Sequence, residues 1–227
     1  MRLPELHRRL LRDALSAGDA YDLALAGGYA VQAHGLVSRP SQDPDFATQH
    51  PASLVDIALR LAEGLRDKGW AVSVVDTRPL KARLLVTDPT SREACEVDLL
   101  KEALSQRPVS MDVGPVVALE DLVSMKVRAL GDRGLPRDVI DVRAACQYYS
   151  VAELEQLGFR GDAEFDLGEL RDRLESVVWV SDEEFAAHGL GSEEIAELRH
   201  WAQEWESDLG LRLAEEYDEP DDTPGGL

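Results

Sequence analysis

The feature that most constrains the fold is a change of hydrophobic period near residue 118. Before it, short apolar runs of strand length are interspersed with helical stretches. After it, the pattern is helical to residue 217. Residues 4–17 place Leu6, Leu10, Leu11, Ala14 and Leu15 at helical spacing. The apolar run 21–26 reads as a buried strand that stops at Gly27-Gly28. A short helix follows over 29–34 and ends at Gly35. Residues 43–47 read as a short strand, and 53–68 as a helix with Leu54, Ile57, Ala58, Leu61 and Leu65 on one face. Three strand candidates come next, at 70–75, 82–86 and 94–100, with Asp88-Pro89-Thr90 as the turn between the last two.

Beyond residue 118, helices are expected at 119–130 and 137–149. Ser150-x-x-Glu153 and Ser181-x-x-Glu184 fit capping boxes that start two more. Residues 192–217 form one long helix with Ile195, Leu198, Trp201, Trp205 and Leu209 as its apolar stripe. The order predicts an α/β (α+β) chain, a small mixed sheet with flanking helices followed by a helical C-terminal part. The expected division is 1–118 for the mixed part, 119–217 for the helical part, and 218–227 for a disordered acidic tail.

A length of 227 residues suffices to bury a substantial core. A run of about 18 apolar residues is absent, which excludes a membrane span of that kind. Met1-Arg2-Leu3-Pro4-Glu5 lacks a signal-peptide pattern, and Cys95 and Cys146 make no disulfide scaffold, so a cytoplasmic protein is expected. The formal net charge of −20 is unevenly placed. Residues 1–149 hold 19 Lys or Arg against 21 Asp or Glu, whereas residues 150–227 hold 5 against 23. The acidity that would disfavour a nucleic-acid partner therefore sits almost wholly in the last third.

The residues that carry chemistry lie in the nearly neutral part. Asp43 and Asp45, two apart on a strand, share a face, and two bare carboxylates there are costly to bury. A third carboxylate, Asp98, lies in the apolar stretch Val97-Asp98-Leu99. Oxygen-only ligands favour Mg²⁺ or Mn²⁺. Gly27-Gly28, between a strand and a helix, would let the backbone approach a phosphate, and Arg39 and Ser41 could hold phosphate oxygens. Together these suit phosphoryl or nucleotidyl transfer. The plainer reading is a Ser/Pro/Asp turn over 38–44. Glu96 is a spare ligand or a solvated neighbour of Asp98.

Gly27-Gly28, His34-Gly35, Arg39-x-Ser41-x-Asp43-x-Asp45-Phe46 and Asp98 resemble the polymerase-β-type nucleotidyltransferase motif. The spacing is similar to that of the AbiEii/AbiGii toxin family. Lys126 followed by Arg137-Asp138-x-x-Asp141 resembles that family's helical Lys…Arg-Asp-x-x-Asp segment, so the likeness covers roughly residues 21–145. The resemblance implies a polymerase-β-like nucleotidyltransferase core over 1–118. Asp43 and Asp45 would bind two Mg²⁺ ions. Asp98 would share one and assist deprotonation of the acceptor hydroxyl. Gly27, Gly28 and Ser41, with Arg39, would hold the NTP triphosphate, and Lys126 would touch phosphate or the transferring group. Asp138 is counted with the nucleotide-binding residues: read from the residues alone, Asp138 or Asp141 either holds Lys126 or Arg39 in place or forms surface pairs with Arg137. The acceptor the resemblance implies is RNA, in particular the acceptor end of tRNA, and the partner a separately encoded antitoxin. Pro44 departs from the pattern and requires that its strand position be at an edge or unpaired.

Other positions have simpler readings. His34 suits a helix C-terminus. Lys126 could be a surface lysine. Trp201 and Trp205 suit a core, and Arg2, Arg8, Arg9 and Arg12 form a solvated basic face. Two other functions compete with RNA modification: nucleotidyl transfer to an antibiotic-like small molecule, which the net charge favours, and a non-catalytic nucleotide-binding module.

Overall fold

A computed structural model describes residues 3–39 and 41–218. The chain divides into two compact units, Met1–Val123 and Ser124–Leu227.

The first unit is built on a seven-stranded mixed sheet in the order β3-β4-β5-β2-β1-β7-β6, where β1 is Ala24–Ala26, β2 Asp45–Thr48, β3 Ala71–Thr77, β4 Lys81–Thr87, β5 Ala94–Lys101, β6 Val109–Met111 and β7 Gly114–Val116. The three expected middle strands form an antiparallel meander, β3-β4-β5. Long-range pairing builds the rest: β2 runs parallel to β5 and antiparallel to β1, and β1 runs parallel to β7. Helices α1 (Glu5–Ala17) and α3 (Leu54–Asp67) pack on each other, and α3 packs on β3, β4 and β5. Ser53 caps α3 by accepting from the Asp56 N–H. The stripe Leu54, Ile57, Ala58, Leu61, Ala62 and Leu65 is buried, as its spacing requires. Each buried leucine of this kind contributes about 1.5–3 kcal/mol. The edge strand β3 carries a bulge between Val74 and Asp76, which twists it against further pairing.

Two local differences from the sequence reading, and the choice between the two alternatives left for Pro44, rest on the local chain. Residues 19–21 make a single 3-10 turn and Asp22 adopts a left-handed conformation (φ +50°), so β1 begins only at Ala24. Asp tolerates that region through local hydrogen bonding. Pro44 lies just ahead of β2, a central strand, where only its carbonyl is used, accepting from the Asp98 N–H at 3.1 Å. The unpaired-position alternative therefore applies, not the edge. The β6–β7 hairpin was unexpected. Its strands are three residues each, with the two-residue turn Asp112-Val113 between the paired Met111 and Gly114.

The second unit begins within α4 (Leu119–Arg133) and continues with α5 (Pro136–Ala145), α6 (Val151–Gly161), α7 (Leu167–Ser176), α8 (Asp182–Ala186) and α9 (Ser192–Asp218). Pro136 opens α5, and full capping boxes at Ser150/Glu153 and Ser181/Glu184 open α6 and α8. Leu154, Leu157, Leu170, Leu174, Phe185, Ile195, Leu198, Trp205 and Leu209 are buried. The buried Glu155 accepts from Trp205 Nε1 (2.8 Å) and from both terminal nitrogens of Arg212 (2.6 and 3.0 Å), tying α6 to α9. Trp205 is therefore core, and Trp201 stacks beside it at a tilt. The expected tail beyond Asp218 lies outside the described residues. Among the described residues, no helix is long and apolar enough to cross a membrane.

Candidate active site

The register of the sheet places the acidic residues. Asp45, the first residue of β2, is paired with Asp98 of the parallel neighbour β5. Paired strands lie about 4.8 Å apart and paired residues share a face, so the two carboxylates rise from adjacent positions. Asp43 lies two residues upstream of Asp45. Its Oδ1 accepts from the Glu96 N–H (3.1 Å) and faces the Cys95 thiol (3.7 Å). The strand expected over 43–47 begins only at Asp45, so Asp43 lies on the loop before β2 and strand alternation does not set it on the face of Asp45; parallel pairing sets Asp98 beside Asp45.

Residues Gly27 and Gly28 open α2 (Gly27–Ala33) directly after β1, which pairs Ala26 with Asp45. Gly27 has φ +57°, a region that L side chains rarely adopt, and a methyl group there would collide with the Asp45 carboxylate. A methyl group on Gly28 would collide with the Ser41 hydroxyl, and Arg39 Nη1 lies 3.8 Å from the same point. Gly27, Gly28, Arg39, Ser41 and Asp45 thus converge on the start of α2, and the glycines are needed for close approach. His34 caps α2, donating from Nε2 to the Val117 carbonyl at 2.8 Å, which is a structural role.

Two residues that spacing did not single out hold this loop. Tyr29 donates its hydroxyl to the Ser41 carbonyl (2.8 Å) and receives a short hydrogen bond from His7 Nδ1. Burial raises the Tyr29 hydroxyl pKa, which keeps the proton it donates to Ser41, and burial lowers that of His7 against the opposing charges of Asp43 and Glu93.

Asp98 is buried (8% exposed) and is engaged from β4. Arg83, its partner in register, donates from Nε and Nη2 to the two carboxylate oxygens (2.7 and 2.8 Å), and Lys81 Nζ sits 2.8 Å from Oδ2. Burial pushes the Asp98 carboxyl up, but the hydrogen bonds and charges of Arg83 and Lys81 outweigh it and hold it below its ordinary value. The Asp98 hydrogen bond is also the main reason the Arg83 pKa is raised. Arg83 Nη1 reaches Glu96 at 2.6 Å, so Glu96 is an ion-pair partner here. A signal for this pairing exists in sequence: Lys81-x-Arg83 and Glu96-x-Asp98 are opposite charges at strand spacing on two runs joined by a turn.

The donors suit a divalent cation in type, since Asp45 and Asp98 offer hard oxygens from paired positions of β2 and β5, with Asp43 on the loop before β2, beside a glycine cradle that a Cβ would fill. Among the described residues, however, no three His, Cys, Asp or Glu side chains form a ready-made cage. Asp98 is held by Arg83 and Lys81 from β4, and Asp43 accepts from the Glu96 N–H of β5, as just described.

The second unit carries the other predicted positions. Lys126 on α4 is 9% exposed, and its Nζ pairs with Asp141 on α5 at 2.9 Å, with Asp141 1% exposed. Asp138 is fully buried, and both its oxygens accept from Arg133 (2.8 and 2.9 Å), bridging the Gly134–Pro136 turn. Of the two carboxylates considered for Lys126, Asp141 is the one that meets it.

Comparison with known proteins gives a consistent picture. A family model described as nucleotidyl transferase AbiEii toxin, type IV toxin–antitoxin system, matches residues 9–219. The crystal structure of JHP933 from Helicobacter pylori is similar at 16% identity, over 94% of this chain and 97% of that one, with a TM-score of 0.54. MenT4, a nucleotidyltransferase toxin of Mycobacterium tuberculosis, is similar at 17% identity, over 91% of this chain and 98% of that one, with a TM-score of 0.50. At these identities the two structures speak to the fold, which they share along nearly their whole length. Among curated proteins, none matches the sequence.

Proposed function

Because the chain belongs to the AbiEii nucleotidyltransferase toxin family, we propose that it transfers a nucleoside monophosphate from an NTP to a hydroxyl of RNA, with the acceptor end of tRNA as the acceptor. The observation that carries this reading is the pairing of Asp45 with Asp98 beside Gly27, with Ser41 and Arg39 over Gly28. Asp43, Asp45 and Asp98 would hold Mg²⁺ or Mn²⁺, which would supply charge neutralisation at the triphosphate and at the attacking oxygen. Ser41, Arg39 and the Gly27-Gly28 backbone hold the phosphates, and the Tyr29–Ser41 hydrogen bond fixes the loop that presents them. The acceptor oxygen attacks the α-phosphorus, and an O–P bond forms. The α,β bridging bond breaks, pyrophosphate leaves, and the hydroxyl proton passes to Asp98. Lys126, held by Asp141, would touch phosphate or the transferring group, and Asp138 would act indirectly, by tying Arg133 at the end of α4 to the first turn of α5. The family description supports an antitoxin as partner, and a cytoplasmic location accords with transfer from an NTP to tRNA.

The strongly acidic residues 150–227 favour a second reading, transfer to a small molecule. Incubation with each α-labelled NTP, Mg²⁺ and total tRNA separates the two. Label in the tRNA band is the expected result. Label found only in small products would overturn the RNA reading.

A further inference from the structure

The alternation of β4 buries Ala82, Leu84 and Val86 and turns Lys81, Arg83 and Leu85 to the other face, which β5 shares with Glu96 and Asp98. There the Asp98 side chain, 11% exposed, lies beneath the heads of Arg83 and Lys81, which remain 35% and 45% exposed. Arg83 grips both oxygens of Asp98 as a fork and reaches Glu96 with its third nitrogen. Lys81 and Arg83 thus engage both acidic residues on this face of β5, and Asp98 is also the register partner of Asp45 on β2.

A divalent cation that recruits Asp98 must share or take an oxygen already bonded to Arg83 or Lys81. Entering alone, it gives those side chains no new partner, and it meets their positive charge a few ångströms away. Entering with a triphosphate, it brings anionic oxygens that accept the guanidinium fork in the same geometry as a carboxylate does, and that accept an ammonium equally well. Both heads are exposed and carried on flexible stems, so they can make that exchange without moving β4.

We propose that Lys81 and Arg83 guard Asp98 against a bare divalent cation and pass from Asp98 to the phosphates when a metal-bound NTP arrives, so that metal and nucleotide bind as a unit. This rests on the metal-dependent reading above, and it assigns to β4 a phosphate-binding role that spacing alone does not indicate.

The test is equilibrium dialysis of the whole chain against radioactive Mn²⁺. It is run with and without the four nucleoside triphosphates bearing a methylene in place of the α,β bridging oxygen, for the unsubstituted protein, Lys81→Gln and Arg83→Gln. The unsubstituted protein should bind Mn²⁺ about tenfold or more tightly when the analogue is present, within the usual range of site–site coupling. Both variants should bind Mn²⁺ alone several-fold more tightly than the unsubstituted protein, and should bind the analogue more weakly. If the variants bind bare Mn²⁺ equally or less well, the guarding role is wrong and the metal site stands. If no form binds Mn²⁺ even with analogue, the metal-dependent reading falls, and this proposal with it. Should Arg83→Gln fail to fold, Lys81→Gln at the more exposed position carries the same comparison.

Discussion

Substituting Gly27 by alanine tests whether the close approach of Asp45 to the glycine turn matters, and Gly35 supplies its control. Both glycines have positive φ, +57° and +74°. Alanine in that region costs about 1–2 kcal/mol. A methyl group on Gly35 would meet nothing within 4 Å, so Gly35→Ala should cost that strain and no more. At Gly27 the methyl also meets the Asp45 carboxylate, and overpacking adds about 1–3 kcal/mol. For a chain of this size, each kcal/mol lowers the melting temperature by about 2–4 °C. Gly27→Ala should therefore melt several degrees below Gly35→Ala in thermal denaturation followed by circular dichroism. The carboxylate must also turn away, and misplacement by about 1 Å costs on the order of 100-fold in rate. Nucleotidyl transfer should fall by that much in Gly27→Ala and stay near normal in Gly35→Ala. Equal melting temperatures with full activity in both variants would refute the argument that Asp45 is held against the turn.

Other outcomes follow from particular contacts. Asp141→Asn removes the charge that compensates the nearly buried Lys126 and should cost about 3–5 kcal/mol in urea unfolding, with most of it restored in Lys126→Met/Asp141→Leu; a loss below about 1 kcal/mol would contradict a desolvated pair. Asp98 has a lowered carboxyl pKa in the folded protein, so its stabilisation is complete above the unfolded value of about 3.9 and is lost as pH falls through the folded value. Urea midpoints between pH 5 and pH 2 should therefore fall more steeply for the unsubstituted protein than for Asp98→Asn, and parallel curves would contradict this. Burial, followed by the charge of Asp43, pushes the Cys95 thiol pKa up to about 12, so a disulfide reagent at pH 8 should modify it far more slowly in the native than in the unfolded protein. Equal rates would show that the thiol is neither buried nor neutral.

What the sequence makes legible follows from the range of the forces involved. The stripes of α1, α3 and α9 and the capping boxes at Ser150 and Ser181 are local, and the folded chain keeps them. The mixed α/β character was legible for the same reason. Gly27-Gly28 and Asp43-x-Asp45 were noticeable because glycine pairs and paired carboxylates are costly unless used. The registry that sets Asp45 against Asp98 was not legible, since parallel pairing joins residues 53 apart. The Arg83–Asp98 fork was missed because cross-strand partners depend on that meander's register, although the complementary charges were in view. The β6–β7 hairpin escaped because three-residue strands containing Ser110 and Pro115 show no alternation. Asp138 and Asp141 look alike in sequence. Helix phase and the Gly134–Pro136 turn send one to Arg133 and the other to Lys126.

The central claim is that Asp43, Asp45 and Asp98 serve transfer of a nucleotide rather than of a terminal phosphate. It is tested most directly by offering the protein NTPs labelled at the α- or the γ-phosphorus, with Mg²⁺ and RNA, alongside Asp45→Asn. The account predicts that α-label enters the RNA while γ-label leaves as pyrophosphate, and that Asp45→Asn abolishes both while keeping its native circular dichroism spectrum. Transfer of γ-label to the acceptor, or undiminished α-transfer by Asp45→Asn, would contradict it.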